Sequence, residues 1–214
     1  TRCRAGVRAL ISVYDKTGIV DLARSLHDLG CDLVSSGGTA KAIADAGLPV
    51  TDTADITGVG AILGHRVVTL HPKVHGAILA DTADPEHLAD MERVGIEPID
   101  VVVVNLYPFG SDPSIELIDV GGPTMVRAAA KNHARVGVVV DPADYDEVVE
   151  ELRSSGALPD ELRRRLARKA FAHTAAYDAA IVEWFDGDDL RPETLHLTYD
   201  RHPLELRYGE NPHQ

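Results

Sequence analysis

Cysteine is nearly absent from this chain, with only Cys3 and Cys31 present. Two thiols cannot build a disulfide framework or a cysteine-rich zinc site. They fit a reducing, cytoplasmic setting in which they stay buried or idle. Basic residues are also scarce. The 21 Lys and Arg face 34 Asp and Glu, for a net charge of -13, which argues against non-specific binding to nucleic acid or to an anionic membrane. A chain this acidic must gather its positive groups locally to hold a phosphorylated small molecule. No apolar run approaches the roughly 20 residues of a membrane helix. The basic start "TRCRAGVRALISVYDK" has an apolar stretch too short for a signal peptide, cut off by Asp15. Internal repeats and low-complexity segments are missing as well. With no initiator Met, the chain is expected to start inside a longer one.

What remains is an ordinary globular composition, 44% hydrophobic and 26% charged over 214 residues, enough for one sizeable domain. Short β-branched runs alternate with helical patterns. "RALISVYD" reads as a strand, followed by "GIVDLARSLHDLG" with Ile19, Leu22, Ala23, Leu26 and Leu29 at helical spacing. "CDLVSS", the helix "TAKAIADAG" and a strand near "PVTDTA" come next. "VHGAILA" is a further strand candidate, and Pro85 to Val94 reads as a helix. The unbroken valines of "DVVVVNLYPF" predict a strand buried on both faces, as in a parallel sheet. Then follow the helix "TMVRAAAKNH", the strand "RVGVVVD", the helix "ADYDEVVEELRSSG" and a long helix from Pro159 to Phe185. This order predicts a three-layer α/β domain over residues 1–185 with a mainly parallel sheet. Residues 186–214 read differently, with turn residues and a short strand.

Ligands of parallel α/β folds bind where strands run into loops that start helices. "SVYDKTG" offers Ser12, Lys16, Thr17 and Gly18 at one such turn. "SSGGT" offers Ser35, Ser36, Gly37, Gly38 and Thr39 at the next. Adjacent glycines let backbone N–H groups converge on an anion, and the dipole of the following helix favours it. Either loop alone also fits a plain tight turn; at neighbouring strand ends the two together favour phosphate. Several other patterns fail. "GVGAILG" has Leu63 where a dinucleotide fingerprint needs its third glycine. His71 and His75 are four apart, but Pro72 follows the first and no glutamate lies between them, so capping or hydrogen-bonding histidines are favoured over a metal site. Ser12 and Lys16 are spaced one residue too far for an acylating Ser-x-x-Lys pair.

Asn105 and Tyr107 close the valine strand. Asp119 precedes a Gly-Gly-Pro helix start, and Lys131 lies near that helix's end. A carboxylate, an ammonium and a phenol can trade protons if the fold brings them together. An N-capping aspartate and a helix-end lysine fit the same spacing.

Taken in order, "SVYDKTG", "SSGGTAKAI", "DITG", "RVVTLHPKVHGAIL", "VVVNLYPF", "IDVGGPTMVRAAAKNH" and "LRYGENPHQ" resemble the bifunctional purine-biosynthesis enzymes that carry AICAR transformylase and IMP cyclohydrolase. The resemblance implies the IMP cyclohydrolase domain, whose fold is that of methylglyoxal synthase. The tail looks like the first residues of the transformylase domain. It further implies ring closure of 5-formamidoimidazole-4-carboxamide ribotide (FAICAR) to IMP with loss of water, needing no cofactor and no metal. The transformylase partner domain would use 10-formyltetrahydrofolate, and the full-length family is typically a cytoplasmic homodimer held largely by that domain.

By motif position, Ser12, Lys16, Thr17, Ser36, Gly37, Gly38 and Thr39 would hold phosphate and ribose, with Arg66 and Thr69 as further nucleotide contacts. Asn105 and Tyr107 would meet the base and formyl group. Asp119 would orient and help deprotonate the carboxamide, Lys131 would assist proton transfer beside it, and Gly121 and Gly122 would bring backbone close to the base. Two departures stand out. The family's R-V-K-T is R-V-V-T here, so Val68 replaces a lysine assigned to catalysis. "GSDPSIEL" is also shorter than the family's segment at that point, which a natural deletion or an omitted loop would each explain. A methylglyoxal-synthase-like lyase and a non-catalytic nucleotide-binding domain are the competing readings, the second kept open by Val68.

Overall fold

A computed structural model describes residues 6–187 and residue 194. The tail, expected over residues 186–214 to begin another domain, otherwise lies outside the described residues, as does Cys3. The chain runs β1 (Arg8–Ser12), α1 (Ile19–Asp28), β2 (Asp32–Ser35), α2 (Gly37–Asp45), β3 (Thr51–Asp52), α3 (Thr53–Thr57), α4 (Pro72–Leu79), α5 (Pro85–Val94), β4 (Val101–Val104), α6 (Gly121–Lys131), β5 (Gly137–Val139), α7 (Tyr145–Ser155) and α8 (Asp160–Asp186).

The strands form one sheet in the order β3-β2-β1-β4-β5, and every pairing is parallel. β1 is central, with Leu10 beside Val34 on one flank and Val102 on the other. One helical layer contains α1 packed on α2 and α7; the other contains α6 packed on α4 and α8. The predicted three-layer parallel α/β architecture is what forms. Its cause is legible in β4, where Val101 to Val104 are each exposed by 1% or less. Burying a valine contributes on the order of 1.5–3 kcal/mol, so a strand apolar on both faces is stable only between two layers.

"VHGAILA" is a correction. It forms α4, a helix, not a strand. Val74, Ala77 and Ile78 are its buried residues, and that i, i+3, i+4 spacing is helical rather than alternating. Pro72 occupies the first turn, and the His71 side chain accepts from the Lys73 N–H at 3.1 Å. Proline and a capping side chain together are a helix start. His71 is therefore the capping histidine that its position before Pro72 favoured.

After β3 the chain crosses back to lay β4 on the other side of β1. The crevice between the carboxyl ends of β1 and β4 is thus the topological switch point, where such sheets bind ligands. Among the described residues, no helix is long and apolar enough to cross a membrane.

Candidate functional site

Three loops meet at this switch point. The loop after β1 is tied to the residue after β4 by the Asn105 amide. Its Oδ1 accepts from the N–H groups of Tyr14 at 2.7 Å and Asp15 at 3.1 Å, and its Nδ2 donates to the Asp15 carbonyl at 2.8 Å. Asn105 thus holds the two loops together at the crevice where its expected contact with the base would be made. The hydroxyl and amide of Thr17 both donate to Asp15 Oδ1, at 2.7 and 2.9 Å. They hold the Asp15 carboxyl below the usual carboxylate range.

Lys16 leaves this loop toward the start of α2. Its ammonium donates to the Tyr14 carbonyl at 3.2 Å and lies 3.8 Å from where a Cβ on Gly38 would sit. Ser36 occupies the N-cap of α2 without bonding the helix through its side chain, and Gly37 adopts φ +52. A left-handed glycine, the unpaired amides of a helix's first turn, a free hydroxyl and an ammonium make an anion cradle. Thr39 lies in the first turn of the same helix; its buried Oγ1 accepts from the Val13 N–H at 3.2 Å and donates to the Val13 carbonyl at 2.9 Å, clamping α2 to β1. Ser12, the last residue of β1, opens the same crevice half-buried.

The opposite wall is built from Tyr107, Asp119 and the start of α6. Asp119 lies off the helix, as the glycines require, and its Oδ1 accepts from the Gly122 N–H at 2.9 Å. The Tyr107 backbone N–H also bonds this carboxylate. Burial nevertheless dominates and pushes the Asp119 carboxyl above the ordinary aspartate range, against the pull of those two N–H donors. The Tyr107 phenol is raised too, by burial first and then by the charge of Asp119. It stays 41% exposed and stacks edge-on against Tyr14, with ring centroids 5.5 Å apart. A half-buried carboxylate and an accessible phenol that feel each other's charge have the chemistry of a base and an acid for one substrate.

Both glycines here are close approaches. A Cβ on Gly121 would lie 3.0 Å from Thr69 Oγ1, which brings the buried Thr69 against the α6 start. A Cβ on Gly122 would lie 2.3 Å from Asp119 Oδ2 and 2.8 Å from Leu106 Cδ2. Gly122→Ala should therefore displace the carboxylate. The expected loss is about 1–3 kcal/mol of stability by overpacking, with activity falling further than stability; a thermal melt beside a rate assay checks both.

Lys131 is expected from the resemblance to assist proton transfer beside Asp119. It ends α6, so about 15 Å of helix, at roughly 1.5 Å per residue, separates it from the end that Asp119 caps. In a parallel α/β layer the helix runs back along its strand, and Lys131 emerges exposed at the opposite sheet edge. Lys131 and Asp119 thus stand at opposite ends of α6. Arg66 is exposed and paired with Glu116, across to the short segment before α6. His75 lies half-buried in α4, its Nε2 without a hydrogen-bond partner, and burial lowers its pKa. Among the described residues no group of three or more His, Cys, Asp or Glu is arranged to hold a metal ion. A cavity of about 460 Å3 at the amino-terminal strand edge, by Val7, Pro98, Val136 and Arg163, contains none of the nominated side chains.

Sequence reasoning missed Tyr14 as a ring partner of Tyr107, and it missed Tyr177, whose phenol reaches the Asp119 backbone from α8. Tyr14 was visible inside "SVYDKTG". Nothing in the pattern of α8 singles out Tyr177.

A doubly layered parallel sheet with an anion cradle at its switch point defines a class, and comparison with known proteins agrees. The model of the MGS-like domain matches residues 18–133, and the chain belongs to that family. The model of the AICARFT/IMPCHase bienzyme matches residues 129–214. The bifunctional purine biosynthesis protein PurH of Brucella canis is 54% identical over 97% of this chain and 40% of its own length. That of Brucella ovis is 53% identical over the same shares. The chain thus spans 40% of the length of these curated relatives. The crystal structure of ForH superposes with a TM-score of 0.79 at 41% identity, over 86% of this chain and 100% of that one. The resemblance read from the motifs is borne out.

Proposed function

We propose that this domain closes the purine ring of FAICAR to give IMP. The observation that carries the reading is the pairing, across one switch-point crevice, of the Lys16–Gly38 cradle with the half-buried Asp119 carboxylate beside Tyr107. Kinship to bifunctional purine biosynthesis proteins supplies the substrate class.

The nucleotide phosphate sits in the cradle formed by Lys16, Ser36, Gly37 and Gly38, with Ser12 and Thr17 at its edge. This leaves the imidazole to extend toward Tyr107 and the start of α6. The carboxamide nitrogen attacks the formyl carbon, forming the C–N bond while Asp119 takes a proton from that nitrogen. The formyl oxygen gains charge as it becomes a hydroxyl, and the Tyr107 phenol hydrogen-bonds and protonates it. The hydroxyl leaves as water, taking the proton that Asp119 holds, while the formamido nitrogen returns its hydrogen to the Tyr107 phenolate, so both side chains are restored. FAICAR becomes IMP plus water with no change of oxidation state, so the step calls for no redox carrier. Holding the two reacting groups of one molecule in contact is itself a large part of such catalysis. Thr69, Gly121 and Gly122 shape the wall against the base, and Arg66 exchanges Glu116 for the nucleotide. In the longer parent protein, we propose a cytoplasmic homodimer whose second domain formylates AICAR from 10-formyltetrahydrofolate.

Purified protein supplied with FAICAR, with IMP formation followed by absorbance, tests the reading. IMP binding without turnover would replace it with a non-catalytic nucleotide domain. Turnover of small phosphate esters instead would mean a methylglyoxal-synthase-like lyase. Lys16→Ala should weaken nucleotide binding about 10- to 100-fold, the worth of one charge-assisted contact. It should also flatten the salt dependence of binding; unchanged affinity in calorimetry would remove Lys16 from the phosphate site.

A further inference from the structure

Asp119 sits in a short connection between the 3-10 turn Ile115–Leu117 and α6. A side chain from α8 spans that connection. The Tyr177 phenol accepts from the Asp119 N–H at 2.8 Å and donates to the Leu117 carbonyl at 2.7 Å. Both capacities of one hydroxyl are therefore spent on backbone groups either side of Ile118. The support is itself anchored. The Tyr177 ring packs edge-on against buried Phe109 with centroids 6.1 Å apart. Two turns earlier on α8, Lys169 Nζ bonds Asp141 and Asp144, each at 2.7 Å, beyond the end of β5. A rigid helix thus reaches across to fix the loop that carries the carboxylate.

We propose that Tyr177 is a positioning residue for the reaction: through its hydroxyl it fixes the Asp119 backbone, and so aims the carboxylate, without touching the nucleotide. This rests on the ring-closure reading above. A displacement of about 1 Å in a catalytic group can cost on the order of 100-fold, whereas the phosphate cradle lies on other loops.

The test is Tyr177→Phe in the full chain, which keeps the ring and removes the hydroxyl. The expected result is a kcat lower by about 10- to 100-fold with KM changed less than about twofold. The groups that face Asp119 and Tyr177 are Tyr107, Asp178 and, beyond Tyr107, Tyr14. None of these changes in the variant, so a shift of the Asp119 carboxyl midpoint toward the ordinary range, read from labelled aspartate, reports the freed loop. In the unaltered protein the Asp119 amide should be protected from hydrogen exchange although it lies outside any helix or strand. That measurement stands even where the variant does not fold. An unprotected Asp119 amide, an unchanged kcat, or a kcat loss matched by an equal rise in KM would each overturn the assignment. Should the unaltered protein fail to turn over FAICAR, the proposed function falls, while amide exchange and the carboxyl midpoint still decide the role of Tyr177.

Discussion

Asp119→Asn should lower the ring-closure rate by about 10²–10⁴, the range of a lost general base, while leaving the protein at least as stable as before. The two effects have one cause. Burial raises the Asp119 carboxyl above its unfolded value, so the group favours the folded state fully only below the unfolded pKa. That contribution is lost as pH rises through the folded pKa. At neutral pH the ionised side chain is therefore a net cost to folding, kept for its chemistry. Asparagine removes the charge and keeps an oxygen to accept the Gly122 N–H, which Asp119 now does at 2.9 Å. The melting temperature of the variant, relative to the unaltered protein, should rise through the pH interval just above the ordinary aspartate range and then level off. The rate of the unaltered protein should fall through that same raised interval as acid protonates the base. A variant with near-normal kcat, or an acid limb at an ordinary aspartate pKa, would remove Asp119 from the proton transfer.

The same residues show what could be read from the chain. Val101 to Val104 announced a two-sided strand, and that one inference implied the parallel sheet and its layers. Lys16 and the Gly37–Gly38 pair were legible as an anion cradle because strand-end loops of such sheets converge by topology. The errors also have physical causes. "VHGAILA" is apolar enough for a strand, and only the His71–Pro72 start and the spacing of Val74, Ala77 and Ile78 mark it as helical. The motif pairs Lys131 with Asp119, and the helix that returns beside β4 sets the two at its opposite ends. Asn105 and Thr39 stand at the site and also join its loops through their side chains, a second role that polar residue type cannot reveal. Tyr177 lies 58 residues from its partner, and no local pattern encodes a contact that long.

Val68→Lys should raise the ring-closure rate, by as much as about 10²–10³ if the lysine recovers a full transition-state stabiliser. Val68 is half-buried and directly precedes Thr69, whose hydroxyl lies 3.0 Å from a Cβ position on Gly121, two residues from Asp119. A lysine there would start one residue from the wall that holds the carboxylate. The influences on Asp119 are burial and two backbone N–H groups, with no cation among them, and Lys131 at the far end of α6 does not supply one. The charge of the new lysine would favour the ionised carboxylate and so draw its pKa back down. Two readouts should therefore move together: kcat rises, and the acid limb of the rate profile shifts to lower pH. A cation facing the developing charge on the formyl oxygen accounts for the first, and its proximity to Asp119 for the second. A faster enzyme with an unmoved acid limb would place residue 68 against the substrate but away from Asp119. An unchanged or lower rate would mean that this site closes the ring with Tyr107 and Asp119 alone, or that position 68 does not face the reacting atoms.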